Sequence, residues 1–200
     1  MKRLLCHKVW YIRFLSLLGL GAVLFVLVWT VAYYLLPEGV LRGRSGVATL
    51  AGEGAASSFT LEFLRIVAIN LLPMGIVLYA NRLLLVGGYP LGYLPPLIWA
   101  LNYAVTLGTN SFSIPLSEPM SPSFAVLGRS GPYEIMAYTL MATATYGISA
   151  NRFKRLIPPD SEPIEPRPDF SAQVNWLGFA LAVGLLIAAN PYKAYMIVSL

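Results

Sequence analysis

Histidine and cysteine are nearly missing from these 200 residues: there is one of each, His7 and Cys6, both in the N-terminal flank. So few ligands cannot close an internal disulfide, build a Cys/His zinc site or give two histidines to a haem, and no cofactor or metal is expected. The usual nucleophile–base pairs go with them, since the apolar runs hold no histidine and no paired acid beside a serine; the chain reads as a non-enzyme. Charge is scarce too. Only 12% of residues are charged against 57% hydrophobic, too little polar surface to clothe a soluble domain and enough apolar length for several membrane spans. The net charge of +5 has an ordinary source in the basic flanks of membrane helices. No basic stripe interleaved with aromatics lies outside the apolar runs, so nucleic acid is not expected as a partner. Cys6, beside the first run, is either an unmodified juxtamembrane thiol or a palmitoylation site.

What the chain does have is long apolar runs, at about residues 12–36, 58–85, 91–107, 132–150 and 174–197. They are long and lack period-two alternation, which favours helices over barrel strands. The expected fold is all-α: a single polytopic membrane domain over residues 1–200, a helix bundle of about five spans. The first run follows Lys2, Arg3, Lys8 and Arg13, exceeds the about 7–15 residues of a cleavable apolar region and lacks a prompt small-residue cleavage site, so a retained signal anchor is expected. Pro95 and Pro96 place the start of the third helix near themselves, because proline starts a helix more readily than it continues one.

Orientation follows from the basic residues. With the N-terminus inside, the inner segments hold Lys2, Arg3, Lys8, Arg13, Arg82, Arg152, Lys154, Arg155 and Arg167, and the outer ones Arg42, Arg44, Arg129 and Lys193. That excess predicts N-inside, C-outside in the cell membrane. Residues 110–130, rich in serine and proline, read as an outer loop or a re-entrant segment, and residues 151–172 as a stiff proline-rich cytoplasmic connector.

Polar residues within the runs are the candidate functional positions, because an ionisable group at that depth needs protein, water or a partner charge. Glu134 follows the turn-forming GRSGPYE stretch and shares a stripe with Ala137, Tyr138, Met141 and Thr145. It reads either as a coupling carboxylate or as a first-turn acid favouring the helix dipole and pairing with Arg129. Glu62 and Arg65, three apart, form a local ion pair on one helix face. Asn70, near Pro73, and Asn102 can each hydrogen-bond across helices, and a contact between the two is open. Ala180, Gly184 and Ala188 form a small-xxx-small series facing either inward or another molecule.

The segments INLLPMGIVLYANRLLLVGG, LIWALNYAVTLG, GRSGPYEIMAYTLMATATYG and IAANPYKAYM resemble, in this order, the stage II sporulation protein M family of integral membrane proteins over about residues 60–197. Glu134 falls at the family's glutamate, Gly131 near its glycine, and Asn70 and Asn102 at two of its asparagines. Ile69, Tyr103 and Ser130 depart from its paired asparagine, glycine and histidine, and Asn190 and Pro191 stand near the place of its late acidic residue. The resemblance implies a non-enzymatic membrane component that assembles with other proteins. The expected function is thus a non-catalytic membrane scaffold or accessory subunit, with membrane lipids and other membrane proteins as partners. The alternative is a permease or transporter subunit with a polar path near Glu134.

Overall fold

The computed structural model describes residues 1–42, 58–112, 118–123, 127, 130–155 and 160–199. Short α1 (Lys2–Leu5) leads into α2 (Trp10–Leu35), and α3 is Phe59–Leu83. The hairpin β1 (Leu85–Val86) and β2 (Tyr89–Pro90) and a single 3-10 turn at Leu91–Tyr93 precede α4 (Leu94–Gly108). Then come α5 (Gly131–Ala144), β3 (Asn151–Arg155), β4 (Asp160–Pro163), short α6 (Phe170–Gln173), α7 (Trp176–Ala189) and α8 (Pro191–Val198).

Three rods are long and apolar enough to cross a membrane: α2, α3, and α7 with α8 taken together. Their apolar residues point mostly outward. Leu15, Val23, Leu27 and Val31 of α2 are all exposed, whereas its inward face holds Arg13, Leu17, Trp29 and Ala32. Contiguous exposed apolar surface on this scale marks a lipid or protein contact. The two remaining runs make shorter helices. At 15 and 14 residues, α4 and α5 are each roughly 22 Å long, below the roughly 30 Å of a bilayer's hydrocarbon layer. Pro95 and Pro96 do stand in the first turn of α4, where the missing amide costs nothing.

The chain returns to one end after α3 and again after α5. At that end the Tyr93 hydroxyl donates to the Leu5 carbonyl (2.9 Å), the Ala150 amide to the Arg82 carbonyl (2.8 Å) and the Asn175 amide to the Ala144 carbonyl (2.9 Å). At the other end the Gly39 amide, just after α2, donates to the carbonyl of Thr109, just after α4 (2.7 Å). Helix α2 lies along α4 and α7 along α5, and α5 also meets α3, so it is the axis of the bundle. Residues 137–145 are buried on every side.

The last carbonyls of α5 show why it ends where it does. Met141 accepts from the Thr145 amide, Ala142 from Asn81 Nδ2 of α3 (2.8 Å), Thr143 from Arg13 Nη2 of α2 (3.0 Å) and Ala144 from the amide preceding α7. A helix terminus inside protein needs such outside donors for its orphan carbonyls, and here three neighbours supply them. Arg13 also donates to the carbonyls of His7 and Lys8 and lies 4.6 Å over the Tyr146 ring.

The all-α expectation is corrected by a small four-stranded sheet in the order β2-β1-β3-β4. The β1–β2 pair turns on Gly87 and Gly88, both with positive φ, and β1 pairs in parallel with β3 through Leu85 and Arg152. The expected stiff connector at 151–172 therefore begins as a paired hairpin. Cross-strand charge supports it: Lys154 Nζ lies 2.8 Å from Glu162 Oε2, and this bond raises the lysine and lowers the carboxyl from their ordinary pKa values. The expected helix at 132–150 is likewise shorter, passing after Ala144 through a 3-10 turn at Tyr146–Ile148 into β3.

Candidate functional site

A polar node joins α3, α5 and the α7–α8 junction. Asn70, 5% exposed, donates through Nδ2 to Glu134 Oε1 (3.3 Å) and to Asn190 Oδ1 (3.2 Å), and its Oδ1 accepts from the Tyr138 hydroxyl (3.1 Å). The carboxylate only accepts and the hydroxyl has its proton to give, so the orientation of the Asn70 amide is fixed by its neighbours. Asn190, fully buried, passes the chain on by donating to the Leu186 carbonyl (2.7 Å). Lys193 Nζ reaches the same Glu134 Oε1 at 3.3 Å. The Tyr138 ring packs on Trp99 of α4 with centroids 5.2 Å apart, so all the main rods except α2 contribute.

Local sequence explains how these groups arrive. Ser130, Gly131 and Pro132 start α5 just before Glu134, which places the carboxylate in the first turn, where the helix dipole favours it. Tyr138 follows one turn later on the same face. Pro191 cannot continue α7, so the chain breaks at Asn190, whose side chain is freed to reach Asn70, while α8 brings Lys193 back against α5. The Glu134 side chain is 14% exposed and that of Lys193 39%, so the ion pair is shielded on one side and open on the other. The open side faces a cavity of about 400 Å³ beside Ser130, Tyr133, Leu185 and Lys193.

The expected site residues separate. Glu134 and Asn70 meet directly. Asn102 does not join them: it is exposed, with its backbone carbonyl accepting from Thr106, and Asn190 takes the place the sequence left open to it. Glu62 and Arg65 form their i,i+3 pair at 3.4 Å, with Glu62 buried, one turn or more from the node along α3. Arg129 lies outside the described residues; among those described the carboxylate's cationic partner is Lys193, which the sequence places only in the outer flank. The signal for Lys193 and Asn190 was present as an Asn-Pro break followed by a lysine inside an apolar run.

A second polar contact sits nearer the sheet. Asn81, fully buried, donates to Thr145 Oγ1 (2.7 Å) besides the Ala142 carbonyl, and its own carbonyl accepts from Ser149 Oγ (2.7 Å). Among the described residues its Oδ1 has no hydrogen-bond partner, and it lies against Gly92, where a Cβ would stand 2.2 Å from it.

Chemically, the first node holds a carboxylate already engaged by a lysine and an amide, which locks helices together and leaves one face of the lysine accessible. Among the described residues no group of three or more His, Cys, Asp or Glu is placed to hold a metal. No protein-family model, curated protein or solved structure matches the chain.

Proposed function

We propose that the chain is a multi-pass protein of the cell membrane, N-terminus inside and C-terminus outside, acting as a non-catalytic scaffold or accessory subunit that assembles with other membrane proteins. The observation that carries this reading is the face of α7. Ala180, Gly184 and Ala188 are all exposed, and among the described residues nothing lies within 4 Å of where a Gly184 Cβ would stand. In an apolar solvent helices associate by close approach over such small residues, and a helix that met only acyl chains would have no use for the gap. Aromatic side chains support the membrane placement: exposed Tyr11, Tyr79 and Trp176 gather at one end and exposed Tyr34, Tyr133 and Tyr192 at the other. Tyr11 and Tyr34 lie on one helix, which at about 1.5 Å per residue separates them by roughly 35 Å. The resemblance to the stage II sporulation protein M family accords with this reading, and distant kinship with that family is part of the proposal.

Purification from native membranes in mild detergent should recover a stoichiometric membrane-protein partner. Gly184→Leu should lower that recovery without lowering the unfolding midpoint of the isolated chain. Recovery of the chain alone under the mildest conditions sinks the scaffold reading. For the orientation, single cysteines at Ser121 and Ser161, in a chain with Cys6 replaced, are expected to react with an impermeant reagent in intact cells at 121 only; the reverse pattern rejects it.

One observation favours a permease instead. The half-open Glu134–Lys193 pair borders a cavity, as a charged group on a substrate path would. Ion-dependent flux in reconstituted vesicles, abolished by Glu134→Gln without loss of folded protein, would replace the scaffold by that reading.

A further inference from the structure

The cavity beside the ion pair has features that the bundle itself does not use. Ser130 occupies the N-cap of α5, where a serine hydroxyl ordinarily accepts from an amide of the first turn, yet it makes no such bond. It is only 8% exposed, lines the cavity, and among the described residues its hydroxyl has no hydrogen-bond partner. The residue is thus nine-tenths buried while its unpartnered hydroxyl keeps access to the cavity, so a ligand or water there is the partner open to it. Pro132 has no amide to offer, and the other amides of that first turn receive nothing from the cap side chain. Lys193 Nζ carries three protons and directs one of them to Glu134. The start of α5, a hydroxyl and a lysine thus border one cavity, which Leu185 and Ala189 also line. Exposed Tyr133 and Tyr192 flank it.

We propose that this cavity is a phospholipid site, with the phosphodiester held by Ser130, the α5 N-terminus and Lys193, and the glycerol and first acyl carbons lying on Leu185 and Ala189. Helix N-termini accept phosphate through their free amides and dipole. The position suits a headgroup, since the tyrosines mark the boundary between apolar and aqueous zones. Glu134 is the opposing charge: it shares the ammonium and disfavours a doubly charged phosphate, so a phosphodiester with one negative charge fits better than a monoester. The volume of about 400 Å³ takes a headgroup and the carbons next to it rather than a whole lipid. The proposal rests on the membrane placement above but not on the scaffold role.

The test is native mass spectrometry of the full chain, delipidated in detergent and titrated separately with phosphatidylglycerol, a diacylglycerol of the same chains, and inorganic phosphate. One phosphatidylglycerol per chain should be retained, with diacylglycerol bound about tenfold more weakly. Ser130→Ala, which leaves the ion pair intact, and Lys193→Gln should each weaken phosphatidylglycerol binding with little change for diacylglycerol. Equal retention of both lipids, or unchanged binding by a folded Ser130→Ala chain, overturns the site. Inorganic phosphate that binds more tightly than the lipid reassigns it to a free phosphate compound and overturns the lipid. Because no partner protein takes part, failure here leaves the scaffold reading standing, and loss of the partner in the copurification leaves this site standing.

Discussion

Gly92→Ala is expected to destabilise the protein by about 3 kcal/mol, the upper range for overpacking a closed contact. A Cβ at position 92 would stand 2.2 Å from Asn81 Oδ1 and 2.5 Å from both Asn81 Cγ and the Val77 carbonyl oxygen. Asn81 cannot swing aside, since its amide is held by the Ala142 carbonyl and Thr145, and the Val77 carbonyl is helix backbone. Relief therefore requires moving the turn before α4 off α3. The measurement is the unfolding midpoint in detergent, with Gly184→Ala as the matched control. The added methyl of Gly184→Ala meets open space, and removing a mid-helix glycine favours the helix by up to about 1 kcal/mol. Equal midpoints for Gly92→Ala and the unaltered chain would show that the contact is looser than described.

The second large effect concerns Glu134. Alanine there removes the acceptor for Asn70 and the partner of Lys193, and leaves a buried amide proton short of a bond. We expect a loss of about 2 kcal/mol, less than a fully buried pair would show because Lys193 is partly open to its surroundings. Glutamine keeps an oxygen in place for both donors, so Glu134→Gln should stay within about 1 kcal/mol of the unaltered chain. Midpoints of the two variants, measured side by side with partner recovery, decide the matter. If glutamine proves as damaging as alanine, the charge itself holds the junction together.

Three of the chain's five apolar runs lie on its long helices because hydropathy is a local property of sequence: residues 12–36 lie on α2, 58–85 on α3 and 174–197 on α7 with α8. The prolines at 95 and 96 located the start of α4 for the same reason. The sheet was hidden because β1 and β3 are far apart in sequence and each is short, so their parallel pairing leaves no periodicity in either segment. Glu134 and Asn70 stood out as polar groups in apolar stretches, whereas their partners depend on how the rods turn. Position 102 falls on the exposed face of α4 while Ala100 and Ala104 face inward, and the break at Pro191 brings Lys193 to Glu134. Those facts belong to packing, and no local spacing encodes them.

The capped end of α5 bears on biosynthesis. Its carbonyls at 142 and 143 find donors in α2 and α3, which are made before it, but Ala144 waits for the amide of Asn175, and its remaining flank waits for α7. A chain halted on the ribosome before residue 175 would carry a threonine-rich helix with one side bare and one carbonyl unanswered. Such a helix lacks both the packing and the hydrogen bond that the later segment brings, so α5 is completed only once residue 175 and α7 have been made.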